Sequence, residues 1–342
     1  MSFTRTKRES IKKYILDKIA DSTSDIVNKT ASAFDVTPNT VYRYLRELTA
    51  DHIIDRSGRK YTLAKNEYYY SLVLSDIAPD SEDKIYEQYL EPHIKNLAEN
   101  IVSMWTYCFT EMMNNVIDHS QGTEVSIYIN QDYMNTSVII DDNGVGIFKK
   151  IQTHYGFETL EDAILELFKG KLTTDKLHHS GEGVFFSSRI MDVFAAISSG
   201  KIFSHTEFDE VVEDLNEFPA LRDFQNYQVG TAILMKLSNF SKKTSKEIFD
   251  QYANVNGGFV RTSIPIKNIY PTYPVSRSQA KRLTHRFDSF KEVELDFNGV
   301  SEIGQGFAHE LFVVFHKQHP EVQLIPFNAN ADIQRMIHHV LN

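Results

Sequence analysis

The chain has 342 residues, 42% of them hydrophobic and 12% aromatic, and a formal net charge of −10. That length exceeds one ordinary domain, so two or three are expected, and the apolar content excludes a mainly disordered protein. No apolar run approaches the roughly 20 residues that span a bilayer, MSFTRTKRES carries no apolar signal segment, and the lone Cys108 cannot form an internal disulfide, so a cytoplasmic protein is expected.

The charge is unevenly spread. Residues 1–65 carry 13 Lys/Arg against 8 Asp/Glu, a net of +5, which leaves −15 for the remainder. A basic end on an acidic body points to a polyanion met by the N-terminal module alone. Ile11, Ile15 and Ile19 form one stripe of a helix over 8–20, and a second short helix is expected over 24–34. Thr37 is a natural N-cap, and Pro38 suits the first position of a third helix. Val41, Leu45 and Leu48 face its core side, leaving Asn39, Thr40, Tyr42, Arg43 and Arg46 outward. Two short strands then surround Ser57-Gly58, with Arg56, Arg59 and Lys60 at the tip. Three helices followed by a basic hairpin resemble the winged helix-turn-helix domains of bacterial transcription regulators. The resemblance implies that the third helix enters a major groove, that the hairpin lies on phosphate, and that the protein dimerises to span two half-sites.

From residue 67 the chain reads as a strand (YYYSLVL), followed by a polar linker with Pro79 and a helix from near Lys84. A helix over 98–119 contains EMMNNVIDHS, in which Glu111 and Asn115 share one face. EVSIYIN and TSVIIDD alternate like paired strands, and the second runs into Asp142-Asn143-Gly144-Val145-Gly146. A polar lid is expected over 148–180, then Gly181-Glu182-Gly183 and a helix over 184–192, and later VGTAI with Thr231.

Each piece suits a purine nucleotide. A carboxylate at Asp142 accepts from an adenine amine. Gly144 and Gly146 allow positive φ and close approach to a base. Asn115 offers an oxygen to Mg²⁺, which keeps few protein ligands. Gly181 and Gly183 open main-chain N–H groups to phosphate at a helix start. Thr231 would hydrogen-bond near Asp142 and the base, directly or through water, and Lys171, Thr173 and Thr174 in the lid are further candidates for phosphate contacts. Glu111 is the candidate base that orients and deprotonates a water or hydroxyl. His119 reads as structural, and Met112, Met113 and Cys108 as core. His178-His179 lacks the companions of a metal site.

In this order the motifs resemble the N box and three glycine boxes of the GHKL ATPases (gyrase B, Hsp90, MutL, histidine kinases), nearest the anti-sigma-factor kinases, over about residues 67–258. The resemblance implies an ATP and Mg²⁺ site on an α/β sandwich. No phosphoacceptor-histidine helix precedes it, and Ala308-His309-Glu310-Leu311 lies downstream, so histidine-kinase activity is not expected.

After Asn256-Gly257-Gly258 strands and helices alternate: a helix capped by Ser276 or Ser278, a strand in EVELDFNGV, a helix in GQGFAHELFVVFHKQ, a strand in VQLIPFNA and a final helix. Residues 259–342 resemble STAS-like domains fused to GHKL ATPases and the STAS partners of anti-sigma kinases. Gly304 and Gln305 stand where those partners carry a phosphorylatable serine, and Ser301 lies earlier, so docking is expected here rather than phosphorylation.

The expected whole is a multidomain α+β protein: a winged helix over 1–66, a GHKL α/β sandwich over 67–258 and a small STAS-like α/β layer over 259–342. The leading functional expectation is an ATP-responsive transcription regulator. The alternatives are an anti-sigma-type serine/threonine kinase, and an ATP-driven protein clamp, for instance in phage defence, without specific DNA binding.

Overall fold

The structure, a computed structural model, describes residues 4–58, 60–172, 181–206, 208–218, 221–254, 258–270 and 272–342. It is a mixed α/β protein, and the described residues form three separate sheets. Among the described residues no helix is long and apolar enough to cross a membrane.

The N-terminal unit comprises α1 (Arg5–Ala20), α2 (Ile26–Phe34), α3 (Pro38–Ala50) and an antiparallel hairpin of β1 (Ile54–Ser57) and β2 (Lys60–Leu63). Thr37 caps α3, its hydroxyl accepting from Thr40 N–H with Pro38 at the first position. Ile11, Ile15 and Leu16 of α1 meet Val41, Tyr44, Leu45 and Leu48 of α3 in a core of their own.

The central unit runs through β3 (Asn66–Val73), α4 (Glu82–Tyr89), α5 (Glu91–Ile94), α6 (Glu99–His119), β4 (Glu124–Gln131), β5 (Asn135–Asp142), α7 (Ile147–Tyr155), α8 (Leu160–Lys169) and α9 (Gly183–Ile190). It continues with β6 (Val193–Ser198), β7 (Lys201–Ser204), α10 (Phe208–Asn216), β8 (Thr231–Ser238) and α11 (Ser245–Tyr252). Its strands form one antiparallel sheet ordered β3-β4-β5-β8-β6-β7. Side chains alternate between sheet faces. Val138 and Ile140 of β5 and Ile233 and Met235 of β8 meet the α6 layer. Ile139, Ala232 and Leu234 point the other way, where Val211 and Leu215 of α10, with Phe218 and Leu221, cover them. That second cover follows no sequence motif.

The C-terminal unit contains β9 (Arg261–Pro265), α12 (Ile266–Ile269), α13 (Arg277–Thr284), β10 (Glu292–Asp296), α14 (Gln305–His309), a π-helical turn (Glu310–Phe315), α15 (His316–Gln318), β11 (Gln323–Phe327) and α16 (Ala331–Leu341). Its three strands are parallel, in the order β11-β10-β9. Ser276 caps α13 in a reciprocal arrangement with Gln279. The central and C-terminal units share one continuous apolar core, with Phe259 packed on Phe185 and Phe186.

The expected polar lid over 148–180 is corrected over its first part. Residues 147–155 and 160–169 are helical, and α8 buries Leu165, Leu167 and Phe168 together with Glu166 and Lys169. The two charged residues fall within the expected polar lid. They are buried because they pair, Lys169 Nζ lying 2.6 Å from Glu166, and because the C-terminal unit adds Arg286 at 2.9 Å. Residues 173–180, the rest of the expected lid, lie outside the described residues.

Candidate functional site

Register builds the deepest part of the site. Asp142, the last residue of β5, stands directly opposite Thr231, the first residue of β8. The pleat sends both toward α6, on the same face as Ile140 and Ile233. Asp142 is 4% exposed, and its carboxylate accepts from Gly144 N–H at 2.8 Å. Burial pushes its pKa up to about 6, with Asp141 adding repulsion and the Gly144 and Thr231 amides opposing. The Thr231 hydroxyl accepts from Ile147 N–H at 2.9 Å, which fixes the start of α7 beside the carboxylate.

The two glycines after Asp142 serve different needs. Gly146 has φ +84° and caps α7. Gly144, expected from sequence to adopt positive φ, does not. It is required because a Cβ there would strike the Ser120 main-chain carbonyl, the acceptor for Val145 N–H at 2.8 Å. That hydrogen bond ties the end of α6 to the loop.

A cavity of about 290 Å³ lies between α6, the ends of β5 and β8, α7, α8 and α9. Glu111, Asn115, Asp142, Gly146, Gly181, Gly183 and Thr231 all line it. Glu111 and Asn115 arrive by helical spacing, Asp142 and Thr231 by strand register, Gly146 by the turn into α7, and Gly181 and Gly183 by the turn into α9. The Glu111 carboxylate lies against Gly183, where any Cβ would collide with its Oε2. Gly181 has φ +72° and packs on the Leu172 backbone.

Other expected contacts fall elsewhere. Gly144 is not among the residues that line the cavity. Lys171 is turned to the C-terminal unit, its Nζ donating to Ser289 C=O at 2.8 Å and lying 4.7 Å from the Phe290 ring centroid. Thr173 and Thr174 lie outside the described residues, as do His178 and His179. Sequence reading missed Lys150, which lines the cavity from α7, and the apolar wall of Ile147, Ile151, Leu167 and Phe185. Nothing in sequence separates such wall residues from ordinary core. Met112, Met113 and Cys108 are buried, and burial raises the Cys108 thiol pKa. Among the described residues no three His, Cys, Asp or Glu side chains gather to hold a metal.

The helices that border the cavity also contact the neighbouring units. Along α6, Asn100 at the far end donates to Ser241 C=O at 2.9 Å and to Lys243 C=O at 2.8 Å. The same loop carries Phe240, on whose ring Lys13 of α1 lies, 5.4 Å from the centroid, and which packs against Tyr133. Toward the C-terminal unit, Arg189 of α9 donates to Ser263 C=O of β9 at 2.8 Å, and Glu166 of α8 binds both Arg286 and His285 at 2.9 Å. Burial pulls Lys169 down to about 8 against the attraction of Glu166.

On the N-terminal unit Asn39, Tyr42, Arg43, Arg46, Arg56 and Lys60 are exposed, and Thr40 is partly buried by its cap. Arg43 pairs loosely with Glu47 at 3.8 Å, and Arg56 Nε donates to Gly58 C=O at 3.0 Å. Arg59 lies outside the described residues.

Residues 279–334 match the family model of a STAS-like domain of unknown function, DUF4325. No curated protein matches the chain. The matched stretch runs from α13 into α16, so the C-terminal unit carries the STAS-like part. Within it, Gly304 sits tightly under the strap before α13. Its N–H donates to Pro274 C=O at 2.8 Å, and a Cβ would lie 2.6 Å from Val275 Cα. A serine therefore does not fit at Gly304 unless that strap moves.

Proposed function

We propose that the chain is an ATP-binding, slowly ATP-hydrolysing transcription regulator. In this reading a GHKL-type domain over 67–258 controls the DNA and partner contacts of a winged helix over 1–66 and of the STAS-like module over 259–342. The observation that carries it is the convergence of Glu111, Asn115, Asp142, Gly183 and Thr231 on one cavity from four separate elements.

The residues fit an adenine nucleotide. A buried carboxylate at Asp142, beside a hydroxyl, accepts from an exocyclic amine, where a guanine carbonyl would be repelled. The apolar walls of Ile147, Ile151 and Ile233 suit a base. Gly183 opens the first turn of α9, whose amides have no intrahelical partner and suit phosphate. Magnesium, held through Asn115 and the phosphates, would neutralise charge and orient the terminal phosphate. Glu111, on the same face of α6, takes the proton of the attacking water. The Asn100–Phe240–Lys13 path supports coupling to the N-terminal unit, where Arg43 and Arg46 meet DNA as part of a homodimer. Coupling requires the ATP state to favour one arrangement of the units over another.

Titration calorimetry with Mg-ATP, release of γ-phosphate, and gel shifts of genomic fragments with and without ATP test this reading. Absence of ATP binding would overturn it. Absence of a DNA shift would favour the clamp reading, a shift insensitive to ATP would remove ATP control of DNA binding, and transfer of γ-³²P to a protein would favour the kinase.

A further inference from the structure

A nucleotide triphosphate is a polyanion, yet of the charged side chains expected at its site, those that line the cavity are two carboxylates, Glu111 and Asp142. Lys171, the expected cation, is engaged with Ser289 and Phe290. Among the described residues lining the cavity, Lys150 is the only lysine or arginine.

Lys150 lies four residues after Gly146, one turn into α7 and therefore on the same face as the glycine turn. Its Nζ donates to the His119 main-chain carbonyl at 2.8 Å. An ammonium has three donors, so this bond holds it at the wall and leaves others to face a ligand. Burial lowers its pKa and Asp118 opposes the shift.

The anchor also locates the charge. His119 and Glu111 are eight residues apart on α6, a rise of roughly 12 Å at 1.5 Å per residue. Lys150 thus stands near the Ser120 and Asp142 end of the cavity, and Glu111 near the opposite end. With the adenine amine at Asp142 and the terminal phosphate at Glu111, the 5′-phosphates lie between them, and a cation on the Asp142 side stands nearest the ribose-proximal one.

We infer that Lys150 binds the ribose-proximal phosphate and so selects phosphorylated adenosine over the free nucleoside. The inference rests on the adenine-nucleotide reading above. Lys150 acts on all 5′-phosphates alike and does not sense the γ-phosphate.

Calorimetric titration of the full chain with adenosine, AMP, ADP and ATP tests this, comparing the parent with Lys150→Met, Lys150→Gln and Lys150→Arg. Removing a charge-assisted hydrogen bond corresponds to roughly ten- to hundred-fold in affinity. Lys150→Met should weaken AMP, ADP and ATP by a similar factor within that range and leave adenosine unchanged. Lys150→Gln, which keeps a donor for His119 without the charge, should behave like Met, and Lys150→Arg should recover most of the loss. Equal weakening of adenosine would make Lys150 a wall residue and overturn the inference. Weakening confined to ATP would move it to the γ-phosphate, and parental affinities throughout would remove it from binding. If the parent binds none of the four, the nucleotide reading itself falls, and this inference with it.

Discussion

Gly183→Ala probes the assignment of Glu111 without touching that residue. The added Cβ would lie 3.1 Å from Glu111 Cδ and nearer still to Oε2. Optimal carbon–carbon separation is about 3.5–4.0 Å, so the carboxylate must retreat by about 1 Å. The obstacle is the far end of a flexible side chain, and Gly183 is not among the glycines of positive φ, so the fold should absorb the methyl. Alanine is also the better helix former, which offsets some of the crowding. A displacement of that size in a reacting group costs on the order of 10²-fold in rate, or about 2.7 kcal/mol of barrier. The expected result is an ATP affinity within a few-fold of the parent, a melting temperature within a few degrees, and a hydrolysis rate about 10²-fold lower. Glu111→Gln should lose about 10²–10⁴-fold, and the double variant should be no slower than Glu111→Gln alone, because both changes remove one function. Release of γ-phosphate under saturating ATP measures all three. A Gly183→Ala protein that hydrolyses ATP at the parental rate would refute Glu111 as the base.

Adenine-nucleotide affinity should fall as pH drops through about 6, because Asp142 then takes up a proton and loses its acceptor. Its folded pKa lies above the unfolded value of 3.8, so its own contribution to folding is full below that value and is lost as pH rises through about 6. Titrations across this range should separate the two trends, and a pH-independent affinity would remove Asp142 from the contact. Glu166→Gln leaves Lys169 buried without its counter-charge, and should cost about 3–5 kcal/mol in a denaturation experiment. Joint replacement of Arg43 and Arg46 by alanine should weaken DNA binding and flatten its salt dependence, by roughly 0.9 in log–log slope for each phosphate no longer neutralised. An unchanged gel shift would place the DNA surface elsewhere.

The legible part of this protein is local. Thr37 and Ser276 cap helices because a hydroxyl reaches an amide two or three residues away, a relation contained in a few consecutive positions. Glu111 and Asn115 share a face because the helical repeat is fixed, and β5 alternates because the pleat has a period of two. These regularities also located the glycine turns.

Long-range packing decided the rest. Asp142 faces Thr231 only because β8 enters the sheet beside β5 in one register, with residues 143–230 between them in sequence. Gly144 is needed for the Ser120 carbonyl across the loop rather than for its own φ. Lys150 and Lys171 look alike in sequence, yet one lines the cavity and the other leans on Phe290, because α7 borders α6 whereas residue 171 borders the C-terminal unit. Glu166 and Lys169 read as a polar lid and are core, since Arg286 and His285, more than a hundred residues later, complete their charges. Whether a charged or small residue is buried depends on what other parts of the chain bring to it, and those partners exist only once the chain has folded.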